Sequence, residues 1–115
     1  MESKFMDFDE YQKQALTTVI TTSDELKDTL HWVLGLNGEA GEVAEKVKKI
    51  IRDHNGEITE ADKSELAKEL GDVLWYIAVF AHQLGFSLET VAKQNLEKLS
   101  SRKARGVLGG SGDNR

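Results

Sequence analysis

"VLWYIAVFA", residues 73–81, is an unbroken run of apolar and aromatic side chains. Val, Ile and Thr form no clear alternating run anywhere in the chain, and proline is absent, so helix is the expected element almost throughout. Leu66, Leu70, Val73, Ile77, Ala81 and Leu84 step by three and four, which sets the run inside a helix of about residues 60–84. Between Val73 and Ala81 that helix is apolar on every side and must be covered on every side. One hairpin and two short helices offer little cover, so a second subunit is expected over part of it, across a symmetric interface. The alternative is a central helix buried within the monomer.

Working outward, Leu26, Leu30, Val33, Leu36, Ala40, Val43, Val47 and Ile50 or Ile51 make one expected buried stripe on a helix of about residues 24–54. "HNGEIT" connects the two helices, and Thr59 with Asp62 resembles a capping box. A first helix covers about residues 7–18, with Asp7 as its cap and Phe8, Tyr11 and Ala15 on one face. Gly85 stops the third helix, and Ser87 caps a fourth over about 88–104, turning Leu88, Val91, Ala92, Leu96 and Leu99 inward. Gly106 ends that helix, and the Gly-rich tail 106–115 reads as a polar, frayed end. The fold class is all-α, a single domain over 1–115 with a central antiparallel helical hairpin.

With 115 residues, 30% charged and 39% hydrophobic, the chain suits one soluble domain. Its net charge is −5, and the cations are scattered among acids, so a nucleic acid polymer is not an expected partner. Cysteine is absent, which removes disulfides, thiol catalysis and Cys-ligated zinc together. "MESKFMDFDEYQK" has no apolar core for a leader, and no long apolar run suggests a membrane span, so the expected location is cytoplasmic.

Glu39 and Glu42 stand three apart on the second helix, and Glu69 and Asp72 three apart on the third, so each pair shares a helix face. Such pairs are common on solvated surfaces; their register is more specific. If the chain reverses near Gly56, antiparallel helices bring Glu42 level with Glu69 and Glu39 level with Asp72, about 20–25 Å from the turn. Four acids in one patch repel one another, and a hard divalent cation relieves the conflict. Carboxylate oxygens without sulfur or histidine suit Mg²⁺, with Mn²⁺ as substitute. A di-iron bundle needs Glu-x-x-His on two helices; the nearest approach, Asp28 with His31, reads as a surface histidine.

Three glycines interrupt the second helix, and each costs about 1 kcal/mol relative to alanine. Gly35 and Gly38 lie on the Glu39 and Glu42 side, where they could clear space for metal and phosphates. Gly41 lies on the far side, where it could admit another helix. A local kink near residue 38 is the alternative.

"EAGE" at 39–42, "ELGD" at 69–72 and "NLEKLSSRKARG" at 95–106 together resemble the MazG-like nucleoside triphosphate pyrophosphohydrolases, over about residues 30–115. The resemblance implies a four-helix bundle, assembly as a homodimer or dimer of dimers, and Mg²⁺-dependent cleavage of a nucleoside triphosphate into monophosphate and pyrophosphate. It implies that Glu39, Glu42, Glu69 and Asp72 bind metal and carry the catalysis. Many members have a further Glu before the first of these, where this chain has Gly38. It also implies that Asn95, Lys98 and Arg102, on one face of the fourth helix, meet the phosphates, with Lys103 and Arg105 as weaker candidates. Base and sugar then need a pocket between helices or subunits, drawn from His31, Trp32, Leu36, Trp75 and Tyr76, although aromatics at such spacing serve as core more often. A role in cleansing the nucleotide pool fits these features. The competing class is a helical adaptor that keeps the fold and binds partners without chemistry.

Overall fold

The computed structural model describes residues 5–115; residues 1–4, the start of the stretch read as carrying no leader, lie outside it. Four helices follow in order: α1 (Phe8–Leu16), α2 (Glu25–Asp53), α3 (Glu60–Gln83) and α4 (Leu88–Ala104), with no strand among the described residues. Their ends follow from local chemistry. Asp7, Asp24, Thr59 and Ser87 each accept from a backbone N–H three residues on, and Asp62 returns a bond to the Thr59 N–H at 3.0 Å, closing the capping box. Gly85, at φ +88°, closes α3: its N–H meets the His82 carbonyl while the Phe86 N–H reaches Ala81.

α3 is the central element and packs against each of the other three helices, whereas α2, among the described helices, packs against α3 alone. Contacts pair Lys46 with Glu65 and Glu69, Trp32 with Trp75, and Glu25 and Thr29 with Gln83, so α3 runs back along α2. On the other side, Ala15, Ala78 and Leu88 form a small core joined by Tyr11, Leu74, Trp75 and Ile77. Gln12, buried there, fastens α1 to the α3–α4 corner. Its amide donates to the Ala78 and Phe86 carbonyls at 3.0 and 3.2 Å, and its oxygen accepts from the Leu88 N–H at 3.0 Å.

The expected α2 stripe is rotated. Trp32 and Ile50 are buried, and Leu36, Val43 and Val47 half-buried, but Leu26, Leu30 and Val33 are 68%, 51% and 41% exposed, and Ala40 and Ile51 also face solvent. α2 has two apolar faces, and aromatic Trp32 takes the place against α3. On α4 the inward face holds at Leu88, Val91 and Ala92, but Leu96 and Leu99 are exposed. The radius of gyration is 17.4 Å, against roughly 13 Å for a compact chain of this length. Across 73–81 every side chain is buried or half-buried. No helix among the described residues is long and apolar enough to cross a membrane.

Candidate active site

Glu39 of α2 meets the Glu69 and Asp72 pair of α3 between these two helices. Carboxylate oxygens of Glu39, Glu69 and Asp72 lie within 4.8 Å of one another. Glu39 is half-buried, the Glu69 side chain is 16% exposed, and Asp72 is open to solvent. Glu42 is exposed and stays outside this group, although its charge reaches Glu39.

Three carboxylates this close repel one another. Loss of hydration raises the Glu39 carboxyl above its ordinary 4.5, and a hydrogen bond with Glu69 and the charges of Asp72, Glu69 and Glu42 act in the same direction. A divalent cation held between these oxygens would offset their mutual repulsion. The donors are oxygen only, which fits a hard cation of the Mg²⁺ or Mn²⁺ kind.

Lys46 was not singled out from the sequence. Its ammonium lies 3.5 Å from Glu69 Oε1 and 3.6 Å from Glu65 Oε2, and among the described residues it is the one cation paired with any of the four acids. Its position two helical turns after Glu39, on the same face, was the available signal. Tyr11 is a second addition: burial and the charge of Asp72 push its phenol above the usual 10.0. Asp28 and His31 do not act as a pair. Asp28 is buried and accepts from the Thr22 N–H and hydroxyl, at 3.0 and 2.8 Å, while His31 is exposed.

Next to the acids, four of the five residues suggested for a base pocket form one aromatic cluster. His31 stacks on Trp32 with centroids 4.7 Å apart, Trp32 meets Trp75 edge-on at 6.0 Å, and Trp75 meets Tyr76 edge-on at 4.9 Å. Trp32 is core, whereas Leu36, Trp75 and Tyr76 are half-buried. Gly35 makes this packing possible: a Cβ there would lie 2.8 Å from Tyr76 Cδ1 and closer still to Cε1 and Cζ. Gly35 therefore admits a ring and does not clear room for metal and phosphates. A Cβ on Gly38 or Gly41 would meet open space, so no helix among the described residues approaches at Gly41. A cavity of about 470 Å³ lies further along, lined in part by Asp28, Trp32, Val79 and His82, and includes none of the four acids.

Asn95, Lys98 and Arg102 are brought together on α4 but not to the acids. Among the described residues no ion pair joins Lys98 or Arg102 to Glu39, Glu42, Glu69 or Asp72; both cations instead lie 3.4 Å from Asp113 Oδ1. Lys103 is exposed, and Arg105 donates to Ser101 Oγ and to the Arg115 carbonyl.

Residues 27–107 match the MazG nucleotide pyrophosphohydrolase domain. The chain belongs to the MazG nucleotide pyrophosphohydrolase family. It is 50% identical, over 96% of its length and the whole of the relative's, to Gene 37 protein of Mycobacterium phage L5. It is also 44% identical to Uncharacterized protein YvdC of Bacillus subtilis (strain 168), over 56% of this chain and 65% of that one. No solved structure gives a significant match. The MazG span takes in the four acids, Lys46, the aromatic cluster and the α4 cations; Tyr11 and Gln12 precede it and Asp113 follows it.

Proposed function

We propose that this MazG domain hydrolyses a nucleoside triphosphate, ribo or deoxy, to the monophosphate and pyrophosphate with Mg²⁺, as a cytoplasmic enzyme that cleanses the nucleotide pool. The observation that carries the reading is the convergence of Glu39, Glu69 and Asp72, with the Glu39 carboxyl raised by lost hydration and by its acidic neighbours. Glu39, Glu69 and Asp72 would hold the cation, with Glu42 joining from one turn along α2. A bound divalent cation would supply Lewis acidity and neutralise phosphate charge. One of the four carboxylates takes the proton of the attacking water, Lys98 and Arg102 balance the departing pyrophosphate, and Asn95 orients it. The exposed His31 ring, stacked on Trp32, would offer the base a face to stack on, with Leu36, Trp75 and Tyr76 half-buried beside it.

The same reading includes a homodimer or dimer of dimers. It is supported by the exposed leucines of α2 and α4 and by the expanded radius. Association would also give the α4 cations a route to a neighbouring copy's acids.

The test is pyrophosphate release from a panel of canonical and modified nucleotides with Mg²⁺. Asp72→Asn is expected to lower kcat by about two to three orders of magnitude, and Glu42→Gln by less, with circular dichroism confirming that both variants fold. Metal-dependent activity that survives both substitutions would sink the site assignment. Absence of activity on every nucleotide would favour the adaptor.

A further inference from the structure

The basic end of α4 is already occupied by the chain itself. Gly106, at φ +71°, closes α4 as Gly85 closes α3, with its N–H on the Lys103 carbonyl and the Val107 N–H on that of Arg102. Gly110 and Gly112, at φ +90° and +88°, continue the reversal, so residues 112 and 113 return to Lys98 and Arg102. Arg115 fastens this curl from within, donating to the carbonyls of Val107, Leu108, Gly109 and Gly112.

Arg102 is consequently 5% exposed. Its Nη2 donates to the Asp113 carbonyl at 2.9 Å and lies 3.4 Å from Asp113 Oδ1 and 3.5 Å from the Gly112 carbonyl. Lys98 Nζ approaches the same Oδ1 at 3.4 Å. The charge of Lys98, with hydrogen bonds from Lys98 and Arg102, holds the Asp113 carboxyl below its ordinary 3.8. The fit is incomplete, because Arg102 Nε is buried with no acceptor among the described residues. One anionic oxygen thus sits between a lysine and an arginine, beside a guanidinium donor left over. A phosphate, with more oxygens in a tighter cluster, could satisfy all of these donors.

We propose that residues 107–115 are a built-in competitor at the α4 cations: Asp113 stands where a substrate phosphate oxygen would, so anion binding there requires the tail to swing away. This rests on the reading of Lys98 and Arg102 as phosphate ligands. The contact is suited to displacement. The Asp113 side chain is 85% exposed and its ion pairs are long, so a polyphosphate carrying several charges outcompetes it.

The test is calorimetric titration of the full-length chain with inorganic tripolyphosphate in EDTA at low salt, which reads anion binding apart from hydrolysis. Asp113→Asn is expected to tighten binding about two- to five-fold. Glu57→Gln, an equal change of charge in the α2–α3 turn, is expected to change it less, and Lys98→Ala should abolish the gain from Asp113→Asn. Tripolyphosphate should also speed amide hydrogen exchange across 107–115 in the parent chain. Binding unchanged or weakened by Asp113→Asn, while Lys98→Ala still weakens it, overturns the tail's role and leaves the phosphate reading standing. Binding indifferent to Lys98→Ala in both backgrounds overturns the two together.

Discussion

The acidic groove between α2 and α3 and the basic end of α4 are charged regions of opposite sign, and they are built on opposite terms. In the groove, Glu39, Glu69 and Asp72 are pressed together with the Lys46 ammonium beside Glu69, so charge is left over and the Glu39 carboxyl is raised above its ordinary 4.5. On α4, Lys98 and Arg102 already have Asp113. The first region gains by taking up a cation; the second must give up an anion of its own before it can take another. The supports differ as well. The acids ride on two helices locked by ring packing, whereas Asp113 rides on a glycine-rich curl.

That difference in support is the easiest part of the comparison to break. Gly35→Ala drives a methyl into the Tyr76 ring, and overpacking strain at the upper end of about 1–3 kcal/mol exceeds the ~1 kcal/mol gained by removing a helical glycine. A net loss of about 2 kcal/mol is expected from urea unfolding, with weaker metal binding as the groove shifts. Gly109→Ala is the counterpart in the tail, where a methyl meets open space without a left-handed backbone to forbid it. Its unfolding midpoint should stay at or slightly above that of the parent.

The glycines also mark the limit of what the sequence made legible. Caps at Asp7, Thr59 and Ser87 and stops at Gly85 and Gly106 could be read directly, because each depends on residues within one turn. The acid groove was legible in part through register: the spacing about one turn region already suggests that Glu39, Glu69 and Asp72 meet, but it also sets Glu42 level with Glu69, and Glu42 stays outside the group. The rotation of α2 was not. Leu26, Leu30 and Val33 compete with Trp32 and Ile50 for burial, and periodicity records which residues favour cover without saying what covers them. Gly35 could not be assigned without Tyr76, a residue distant in sequence. The tail escaped for the same reason: a polar, glycine-rich composition reads as fraying, and the bonds that order it run from Arg102 and Arg115 to backbone carbonyls.

The surplus charge in the groove is tested next, by pH. Folded Glu39 keeps its proton to higher pH than the unfolded chain does. Its favourable contribution is therefore complete below the ordinary 4.5 and is lost as pH rises through the raised value. In Glu39→Gln an amide can donate to Glu69 at any pH. Thermal melts in EDTA should show the variant matching the parent at low pH and becoming the more stable of the two as pH climbs past 4.5. Saturating Mg²⁺ should reverse the order at neutral pH, because only the parent retains the full ligand set. A parent that stays as stable as the variant at neutral pH in EDTA would mean that the acids do not strain the fold.

The smallest effect expected on binding concerns Lys46, the one cation among the described residues that pairs with any of the four acids. Its ammonium takes part of the Glu69 charge that a metal would otherwise have, so removing it should make the groove more acidic and more welcoming to a cation. Against this, its side chain is 32% exposed and its distances to Glu65 and Glu69 are 3.6 and 3.5 Å, so the ammonium can swing into water when an ion arrives. Solvent screening then keeps the gain small, and Lys46→Met should tighten Mn²⁺ binding by about two- to three-fold in calorimetry. A marked loss of Mn²⁺ affinity would reverse the argument: Lys46 would then be holding Glu69 in its binding position, and both charged regions of the chain would depend on an internal ion pair.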